Sequence, residues 1–516
     1  MEAFWGLLNG LGVALQPAPL AAVIVGVLIG VVAGALPGIS FVNAMAICLP
    51  FTFLMSPLLA MMFLGGIYVG GVFGGSISSL LLNIPGDPDS VPSCWDGFPL
   101  ARRDGPERAL SIAITASAIG GLFSAIILSF ASPPFARFAL TFDQPEFFAT
   151  TIMGLACVLA IAKGNLLLSM LSLFTGMAIG SVGTDPLYGV TRLTFGLSTL
   201  DGGIDFVVVM IGLFAIGEVL ETIAARGNPD YTVRDKAVMK VLGPRGIWNL
   251  RASIGRGTAI GCLIGVIPGG SAVMGAFVAY GIERQVNKRG DEFGTGVADG
   301  LAAPEASKNA TTGTALIPLL ALGIPSTAAS AIMLAALTGH GVQPGPLLFQ
   351  KHPEMLYAIF ASFTLANVFM ILVSVVIARL FGVIMRADPA IICAFIIVFS
   401  LVGAFAVRNN ANDIYICIMF GIMGFFMRRF GMPTAPLVLG VILGPLAEGY
   451  FMTSMANYDN DVTVFFTRPK SGVLMALALM FILWALAPEL KQLFRRLARL
   501  APPAAPLRRK SDGHKL

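Results

Sequence analysis

Charged residues are what this sequence lacks most. Only 12% of its 516 residues are Asp, Glu, Lys or Arg, whereas an ordinary soluble domain carries about 25%. From Ala3 to Gly86 there is no Asp, Glu, Lys, Arg or His at all. A surface in contact with water cannot be built from such a stretch. The composition therefore excludes a soluble globular protein.

Signatures of catalysis and of metal binding are also missing from the sequence. It contains no H-E-x-x-H, no G-x-S-x-G and no G-x-x-x-x-G-K-[ST] motif, which would indicate a metalloprotease, a serine hydrolase or a nucleotide-binding loop. The six cysteines are scattered without C-x-x-C spacing, so neither a disulfide framework nor a zinc site is indicated. We expect no enzymatic activity and no cofactor. The basic residues lie between apolar runs, so the net charge of +5 does not indicate nucleic-acid binding.

Long uncharged apolar runs make up most of the chain. Hydrophobic residues account for 56% of the sequence. Further uncharged stretches cover 109–136, 164–184, 355–378, 389–407 and 471–488. A helix of roughly 20 apolar residues spans a bilayer core, and the alternation typical of barrel strands is missing. We therefore predict an all-α polytopic membrane protein with about 10–12 transmembrane segments, some of them discontinuous.

Basic residues predict which loops face the cytoplasm. They cluster in 223–256 and in 491–516. Because Lys and Arg are enriched in cytoplasmic loops, we place both segments inside, together with 101–108 and 284–290. The C-terminus is then cytoplasmic.

The crossings counted from these loops are consistent with one another. Four predicted spans lie between the inner segments 101–108 and 223–256, and five lie between residue 355 and the tail. They lie near 109–131, 146–162, 165–183, 204–222, 355–378, 389–407, 411–427, 432–451 and 471–488. Six basic residues fall on the outer side, against the general rule: Arg137, Arg192, Lys351, Arg408, Arg468 and Lys470.

Two Pro-containing breaks in the first half of the chain recur in the second half in the same order. Residues 30–40 align with 261–271, and 80–90 align with 320–330. The matching pairs are Gly30/Gly261, Gly34/Gly265, Pro37/Pro268, Gly38/Gly269, Ser40/Ser271, Leu80/Leu320, Leu82/Leu322, Ile84/Ile324, Pro85/Pro325 and Ser90/Ser330. Two matched windows in one order indicate an internal duplication.

The side assignment gives the two halves opposite directions. The chain runs inward after the second break of the first half and outward through the equivalent segment of the second half, which is the inverted-repeat plan of many secondary transporters. Residues 20–54 and 257–283 would form re-entrant hairpins. The predicted organisation is an interfacial segment at 1–16, a first inverted repeat at 17–222, a basic cytoplasmic loop at 223–256, a second inverted repeat at 257–490 and a basic cytoplasmic tail at 491–516.

Each break ends one half-helix and begins another, because Pro lacks an amide donor and Gly permits unusual backbone geometry. Unpaired backbone groups at membrane depth need a protein partner or a wet cavity, and half-helix N-termini attract anions. We therefore predict an anion-binding site at the breaks. Its predicted residues are Pro37, Gly38, Ser40, Asn43, Asn83, Pro85, Gly86, Pro268, Gly269, Gly270, Ser271, Pro325, Ser326 and Thr327. The alternative is a simple kink at each Pro, with the polar side chains bonded to their own helices.

Ionisable residues near the second breaks are candidates for ion coupling. Asp87 follows the first-half break, and Glu305, Lys308 and Asn309 share one helix face at i, i+3, i+4 spacing. Ionisable groups at membrane depth are usually functional, so we predict that Asp87, Glu305 and Asn309 bind the coupling cation. The alternatives are a surface helix cap at Asp87 and a solvated start of the helix at Glu305. No metal other than sodium is expected.

Four stretches resemble one family of membrane proteins. They are "GALPGIS", "GGSISSLLLNIPGDPDSVPSCWDGFPLARRDG", "FGTGVADGLAAPEASKNATTGTALIPLLALGIPS" and "GHGVQPGPLLF". They are similar to the large membrane subunit of the tripartite tricarboxylate transporters, TctA-like, over about residues 20–450. The family pattern reads closer to A-P-E-A-A-N-N-A where this chain has "APEASKNA", so Lys308 is a departure that changes the local charge. Ser326 replaces the usual Gly of the second I-P-G.

The resemblance implies secondary uptake of a tricarboxylate or related organic anion across a bacterial inner membrane, driven by symport of Na⁺ or H⁺. It also implies two partners, a periplasmic solute-binding protein (TctC-like) and a small membrane subunit (TctB-like). Two other functions stay open at this point. One is an uncoupled organic-anion channel or facilitator. The other is a membrane enzyme acting on lipid-linked substrates, for which the sequence offers no convincing catalytic cluster.

Overall fold

Helices account for almost all of the described chain. The computed structural model describes residues 2–36, 40–161, 166–185, 189–224, 240–267, 270–384 and 389–500. Within these ranges, extended structure is limited to one antiparallel pair, Gly183–Thr184 (β1) with Thr191–Arg192 (β2). The predicted all-α fold is confirmed.

Ten helices precede the first basic loop in the described part of the chain. They are α1 (Glu2–Ala14), α2 (Pro17–Ala35), α3 (Phe41–Thr52), α4 (Pro57–Leu82), α5 (Val91–Asp104), α6 (Pro106–Ala139), α7 (Gln144–Ile161), α8 (Leu166–Gly180), α9 (Phe206–Met210) and α10 (Gly217–Ala224). A π-helical turn, Ile211–Ile216, joins α9 to α10, and short 3-10 turns lie at Pro88–Ser90 and Ser198–Leu200.

Twelve more helices follow the basic loop in the described ranges. They are α11 (Pro244–Val266), α12 (Ala272–Val286), α13 (Ala298–Thr314), α14 (Leu316–Leu322), α15 (Ala328–Gly339), α16 (Leu348–Lys351), α17 (Pro353–Ile384), α18 (Pro389–Arg408), α19 (Asn412–Arg429), α20 (Thr434–Asn457), α21 (Val464–Thr467) and α22 (Pro469–Leu500). A 3-10 turn at Gly290–Glu292 precedes α13. Proline lies in the first turn of α2, α4, α6 and α11, where a missing amide donor costs nothing.

Six helices of the described residues are long and apolar enough to cross a membrane. They are Pro17–Ala35, Pro57–Leu82, Pro106–Ala139, Phe206–Ala224, Pro353–Phe381 and Thr434–Asn457. Shorter apolar helices cover Phe4–Ala14, Phe41–Thr52, Leu166–Gly180, Ala328–Gly339, Cys393–Arg408 and Pro469–Leu483. Every span predicted from the sequence coincides with a helix, although α6 and α22 run beyond the predicted ends. The chain is a multi-pass membrane protein.

Large apolar side chains face outward along several helices, as lipid-facing residues do. On a soluble monomer, contiguous apolar patches of this kind are rare. Examples with half or more of their surface exposed are Leu171, Phe174, Leu372, Val376, Phe395, Val398, Met419, Leu479 and Leu483. The largest core cluster extends through most of the described helices, among them α2, α4, α6, α14, α17 and α20.

The first break of each half separates two consecutive helices. In the first half, α2 ends at Ala35 and α3 begins at Phe41. In the second half, α11 ends at Val266 and α12 begins at Ala272. Pro37, Gly38, Pro268 and Gly269 lie outside the described residues. The second pair of breaks follows α4 and α14, whose C-terminal caps are both left-handed, Asn83 with φ 58° and Gly323 with φ 74°.

Helix packing repeats with the same offsets as the sequence. Three glycines of α2 lie so close to α4 that a methyl group on any of them would overlap a backbone carbonyl. The pairs are Gly26/Phe63, Gly30/Ile67 and Gly34/Gly71. The equivalent close approaches between α11 and α13 are Gly257/Ala303, Gly261/Ser307 and Gly265/Thr311. Equivalent glycines in the two halves are 231 positions apart, and their contact partners are 240 positions apart. These are the offsets of the two sequence alignments. The duplicated windows are therefore duplicated packing units. Their inversion across the membrane stays a prediction.

Three of the arginines predicted on the outer side form ion pairs. Arg192 contacts Glu448, Arg408 lies 2.6 Å from Asp413, and Arg468 lies 2.7 Å from Glu146. Each pair joins a guanidinium to a carboxylate.

Candidate functional site

One cavity of about 580 Å³ lies where the breaks of both halves meet. Its lining comes from α3, the Pro88–Ser90 turn, α12, α15, the α9–α10 region and the start of α20. The predicted residues that line it are Ser40, Asn43, Gly86, Asp87, Ser271, Ser326 and Thr327. Residues that are distant in the sequence are thus brought together as the repeat predicts. Their binding roles stay predictions.

Four helices begin at this cavity. Ser40 caps α3 by accepting from the Val42 amide at 3.2 Å, and Ser271 caps α12 by accepting from the Met274 amide at 3.3 Å. Thr327 caps α15 through a capping box. These side chains bond their own helices, as the alternative interpretation proposed, and they also line the cavity. The N-terminus of each helix carries partial positive charge.

The fourth helix, α20, begins without a side-chain cap. Its N-cap residue is Pro433, which provides no hydrogen-bonding side chain, and Pro433, Thr434 and Ala435 all line the cavity. The first backbone amides of a helix have no partner within that helix. At α20 they are therefore the donors best placed for an anion.

Arg428 is the only cation among the described residues that line the cavity. Its guanidinium contacts Glu218 and lies 3.1 Å from the Glu221 carboxylate. Asn43 donates to the same Glu218 carboxylate at 3.0 Å. These contacts connect α19, α10 and α3 across the two halves. They hold a guanidinium beside the four helix N-termini.

Two buried carboxylates complete the cavity. Asp87 accepts a 3.2 Å hydrogen bond from the Phe41 amide at the start of α3. Asp89 accepts from the Ser90 hydroxyl at 2.9 Å through Oδ1, whereas its Oδ2 has no hydrogen-bond partner among the described residues. Both side chains lie under 5% exposed. The cavity therefore combines donors suited to an anion with carboxylate oxygens suited to a cation.

Glu305 lies beside the cavity rather than in its lining. It forms an ion pair with Lys308 at 3.1 Å, and both side chains are fully buried. The alternative of a solvated start of the helix is therefore wrong. Asn309 is also buried; its amide donates to the Glu305 carbonyl at 3.3 Å, and its Oδ1 has no partner among the described residues.

The remaining predicted residues shape the breaks without lining the cavity. Asn83 is exposed at the end of α4, and Gly270 packs against the Ile264 carbonyl. Pro85 and Pro325 lie at the second breaks outside the lining. In the described ranges, no group of three or more His, Cys, Asp and Glu side chains is arranged to hold a metal ion.

Sequence reasoning missed several residues of the cavity. They are Tyr68, Phe214, Glu218, Arg428 and the Pro433–Pro436 segment. One available signal was the stretch "RRFGMPTAP", in which an arginine precedes a third Gly-and-Pro break.

Discontinuous apolar helices around a polar cavity define a membrane transport protein of the broken-helix class. The chain belongs to the tripartite tricarboxylate transporter TctA family, which matches residues 20–439. This is a family of transporters.

Two relatives from Agrobacterium vitis are similar to the chain. An uncharacterized 52.8 kDa protein in the TAR-I ttuC' 3' region is 34% identical over 492 residues, which covers 95% of this chain and 98% of the relative. An uncharacterized protein in the TAR-II ttuC' 3' region is 34% identical over 231 residues, which covers 45% of this chain and 96% of that protein. No solved structure matches the chain.

Proposed function

We propose that the chain is the large transmembrane subunit of a binding-protein-dependent secondary importer for tricarboxylates or related organic anions. The observation that carries the proposal is the convergence of four helix N-termini and Arg428 on one cavity. Each N-terminus favours an anion by about 0.3–1 kcal/mol, and up to ~2 kcal/mol when partly buried. A multiply charged carboxylate can use several of them at once. The cavity volume is in the range of small-molecule sites.

Cation symport is the second part of the proposal. Asp87 and Asp89 place two carboxyl groups in the same cavity, and a carboxylate there repels an organic anion unless a cation or a proton enters as well. Oδ2 of Asp89, which has no hydrogen-bond partner among the described residues, offers a hard oxygen ligand for Na⁺, or a proton acceptor. We therefore propose Na⁺ or H⁺ as the coupling ion.

Two partner proteins and a cellular location complete the proposal. Family membership supports a periplasmic solute-binding protein that delivers the anion, and a small membrane subunit that completes the complex. The complex would lie in a bacterial inner membrane, with the basic tail of this chain in the cytoplasm.

Uptake into proteoliposomes tests this proposal. The chain is reconstituted with its small subunit, and labelled citrate is supplied with the purified binding protein. We expect accumulation that ceases when the Na⁺ and H⁺ gradients are both collapsed. Gradients collapsed one at a time identify the coupling ion. Uptake that persists at an unchanged rate without either gradient would instead support an uncoupled facilitator.

The two serine caps provide a test of the site. We expect Ser40→Ala and Ser271→Ala each to weaken apparent substrate affinity by roughly fivefold, because each hydroxyl lines the cavity and one lost hydrogen bond to the substrate costs about 1 kcal/mol. Ser56→Ala is the matched control, because Ser56 caps α4 through the Leu59 amide but does not line the cavity. It should leave the affinity unchanged. Native uptake kinetics in the Ser40→Ala/Ser271→Ala double variant would remove both hydroxyls from the site.

A further inference from the structure

Three oxygen atoms contact the buried ammonium of Lys308. Its Nζ lies 2.6 Å from the Ser76 hydroxyl, 2.9 Å from the Ser90 hydroxyl and 3.1 Å from the Glu305 carboxylate. The Lys308 side chain is one of the largest fully buried side chains in the described part of the protein. A cation this deep in a membrane protein is expensive, which makes a functional role the default interpretation.

Three serine hydroxyls donate hydrogen bonds to the carboxylate of this site. Glu305 accepts hydrogen bonds from Ser76 at 2.8 and 2.9 Å, from Ser117 at 2.8 Å and from Ser93. These hydroxyls come from α4, α6 and α5, which all pack around α13. Burying a charge costs much free energy unless the charge is both hydrogen-bonded and paired. The group therefore needs a positive partner at this position.

The ligand set around Nζ is one that a small hard cation would also accept. A carboxylate and two hydroxyls supply only oxygen, the ligand type that hard cations prefer. Polar groups near broken helices bind Na⁺ in several transporter folds. The ammonium thus stands where a monovalent cation of the same charge could stand.

Only the second half of the chain has a lysine at this position of the repeat. In the alignment of the two halves at an offset of 240, Lys308 corresponds to Tyr68 and Glu305 corresponds to Gly65. Tyr68 lines the cavity and stacks on Phe41, with ring centroids 5.6 Å apart. Repeat packing therefore does not require a lysine at this position.

One hydroxyl connects the ammonium to the cavity. Lys308 donates to Ser90, and Ser90 donates to Oδ1 of Asp89, each at 2.9 Å. Asp89 lines the cavity and keeps its other oxygen without a partner among the described residues. Two side chains, Ser90 and Asp89, thus connect the charge of Lys308 to the cavity.

We propose that Lys308 is a tethered substitute for one monovalent cation of the transport site. Its ammonium neutralises Glu305 permanently, so this position binds no exchangeable ion in the native chain. Removing the ammonium opens a Na⁺ site formed by Glu305, Ser76 and Ser90. The transport consequence rests on the proposed function, whereas the binding test below does not.

Binding of radioactive Na⁺ to the purified full chain tests the proposal. We expect Lys308→Ala to bind one more Na⁺ per chain than the native protein. We also expect saturating Na⁺, relative to choline, to raise the Tm of Lys308→Ala by about 3 °C more than it raises the native Tm. Adding Glu305→Gln to Lys308→Ala removes the carboxylate, so the extra Na⁺ should be lost. A folded Lys308→Ala variant that binds no more Na⁺ than the native chain overturns the proposal.

Arg289→Ala is the matched control for this experiment. Arg289 and Glu292 also form an ion pair at i, i+3 spacing, but both side chains are about half exposed. Its removal should leave Na⁺ binding unchanged, and an equal gain of Na⁺ there would contradict the specific role of Lys308.

Folding of the variants is itself informative. Lys308→Ser, which introduces a hydroxyl at this position, is prepared beside Lys308→Ala. Variants that fold in NaCl but not in choline chloride support the proposal, because Na⁺ then replaces the ammonium. If both variants fail to fold in either salt, Na⁺ cannot replace the ammonium and the proposal is wrong.

Transport gives a separate outcome. With the partner subunits present, the Hill coefficient for Na⁺ in carboxylate uptake should rise by about one in Lys308→Ala, because one more site is filled per cycle. An unchanged coefficient in a variant that has gained the extra Na⁺ would show that the site does not take part in transport, which overturns the proposed role. If the native complex transports no carboxylate at all, the proposed function fails, and Na⁺ binding still decides whether Lys308 occupies a cation site.

Discussion

Replacing Arg428 with alanine is expected to weaken apparent substrate affinity by roughly 100-fold, the typical scale for losing one partner of a buried charged contact. Arg428 is the one cation that lines the cavity among the described residues. Its loss also leaves Glu218 without the guanidinium that balances it. The carboxylate then repels the entering anion.

Uptake at varied substrate concentration measures this effect. Arg429→Ala is the matched control, because Arg429 is the next residue of the same helix but is exposed and does not line the cavity. It should behave as the native chain does. The double variant Arg428→Ala/Glu218→Gln should recover part of the affinity, since it removes the unbalanced carboxylate. Equal losses in Arg428→Ala and Arg429→Ala would show that the effect is not a property of the cavity.

Much of the helix arrangement could be predicted from the sequence, because lipid leaves few choices to an apolar chain. Spans such as 389–407 are bounded by charges or by Pro, and the helix there is Pro389–Arg408. The breaks were predictable for a similar reason, since Pro and Gly act locally on the backbone. The contact of Gly30 with Ile67 and the contact of Gly261 with Ser307 are related by the offsets of 231 and 240 found in the sequence.

The cavity was less predictable, because contacts between distant segments complete it. The ion pair of Glu218 with Arg428 joins α10 to α19, and neither residue lies in a repeated window. Helical periodicity put Glu305 and Lys308 on one face of α13, but it does not say what covers that face. Hydroxyls from α4, α5 and α6 do so. The environment of a buried charge is thus set by helices that local patterns cannot place.

Breaking the buried ion pair from its acidic side should destabilise the protein strongly. Glu305→Gln leaves the Lys308 ammonium without a carboxylate in a site closed to water. Removal of one partner of a buried ion pair costs about 3–5 kcal/mol of unfolding free energy. Na⁺ should not rescue this variant, in contrast to Lys308→Ala, because the unpaired group is now a cation.

A double-mutant cycle separates this cost from the value of the pair itself. Glu305→Gln/Lys308→Met removes both charges at similar volume, and such replacements are often close to neutral. We therefore expect the double variant to be more stable than Glu305→Gln in equilibrium unfolding of the detergent-solubilised chain. Glu292→Gln, which breaks the exposed pair with Arg289, should cost at most about 1 kcal/mol. If Glu305→Gln cost no more than Glu292→Gln, the ammonium of Lys308 would not depend on its carboxylate, and the tethered-cation role would lose its physical basis.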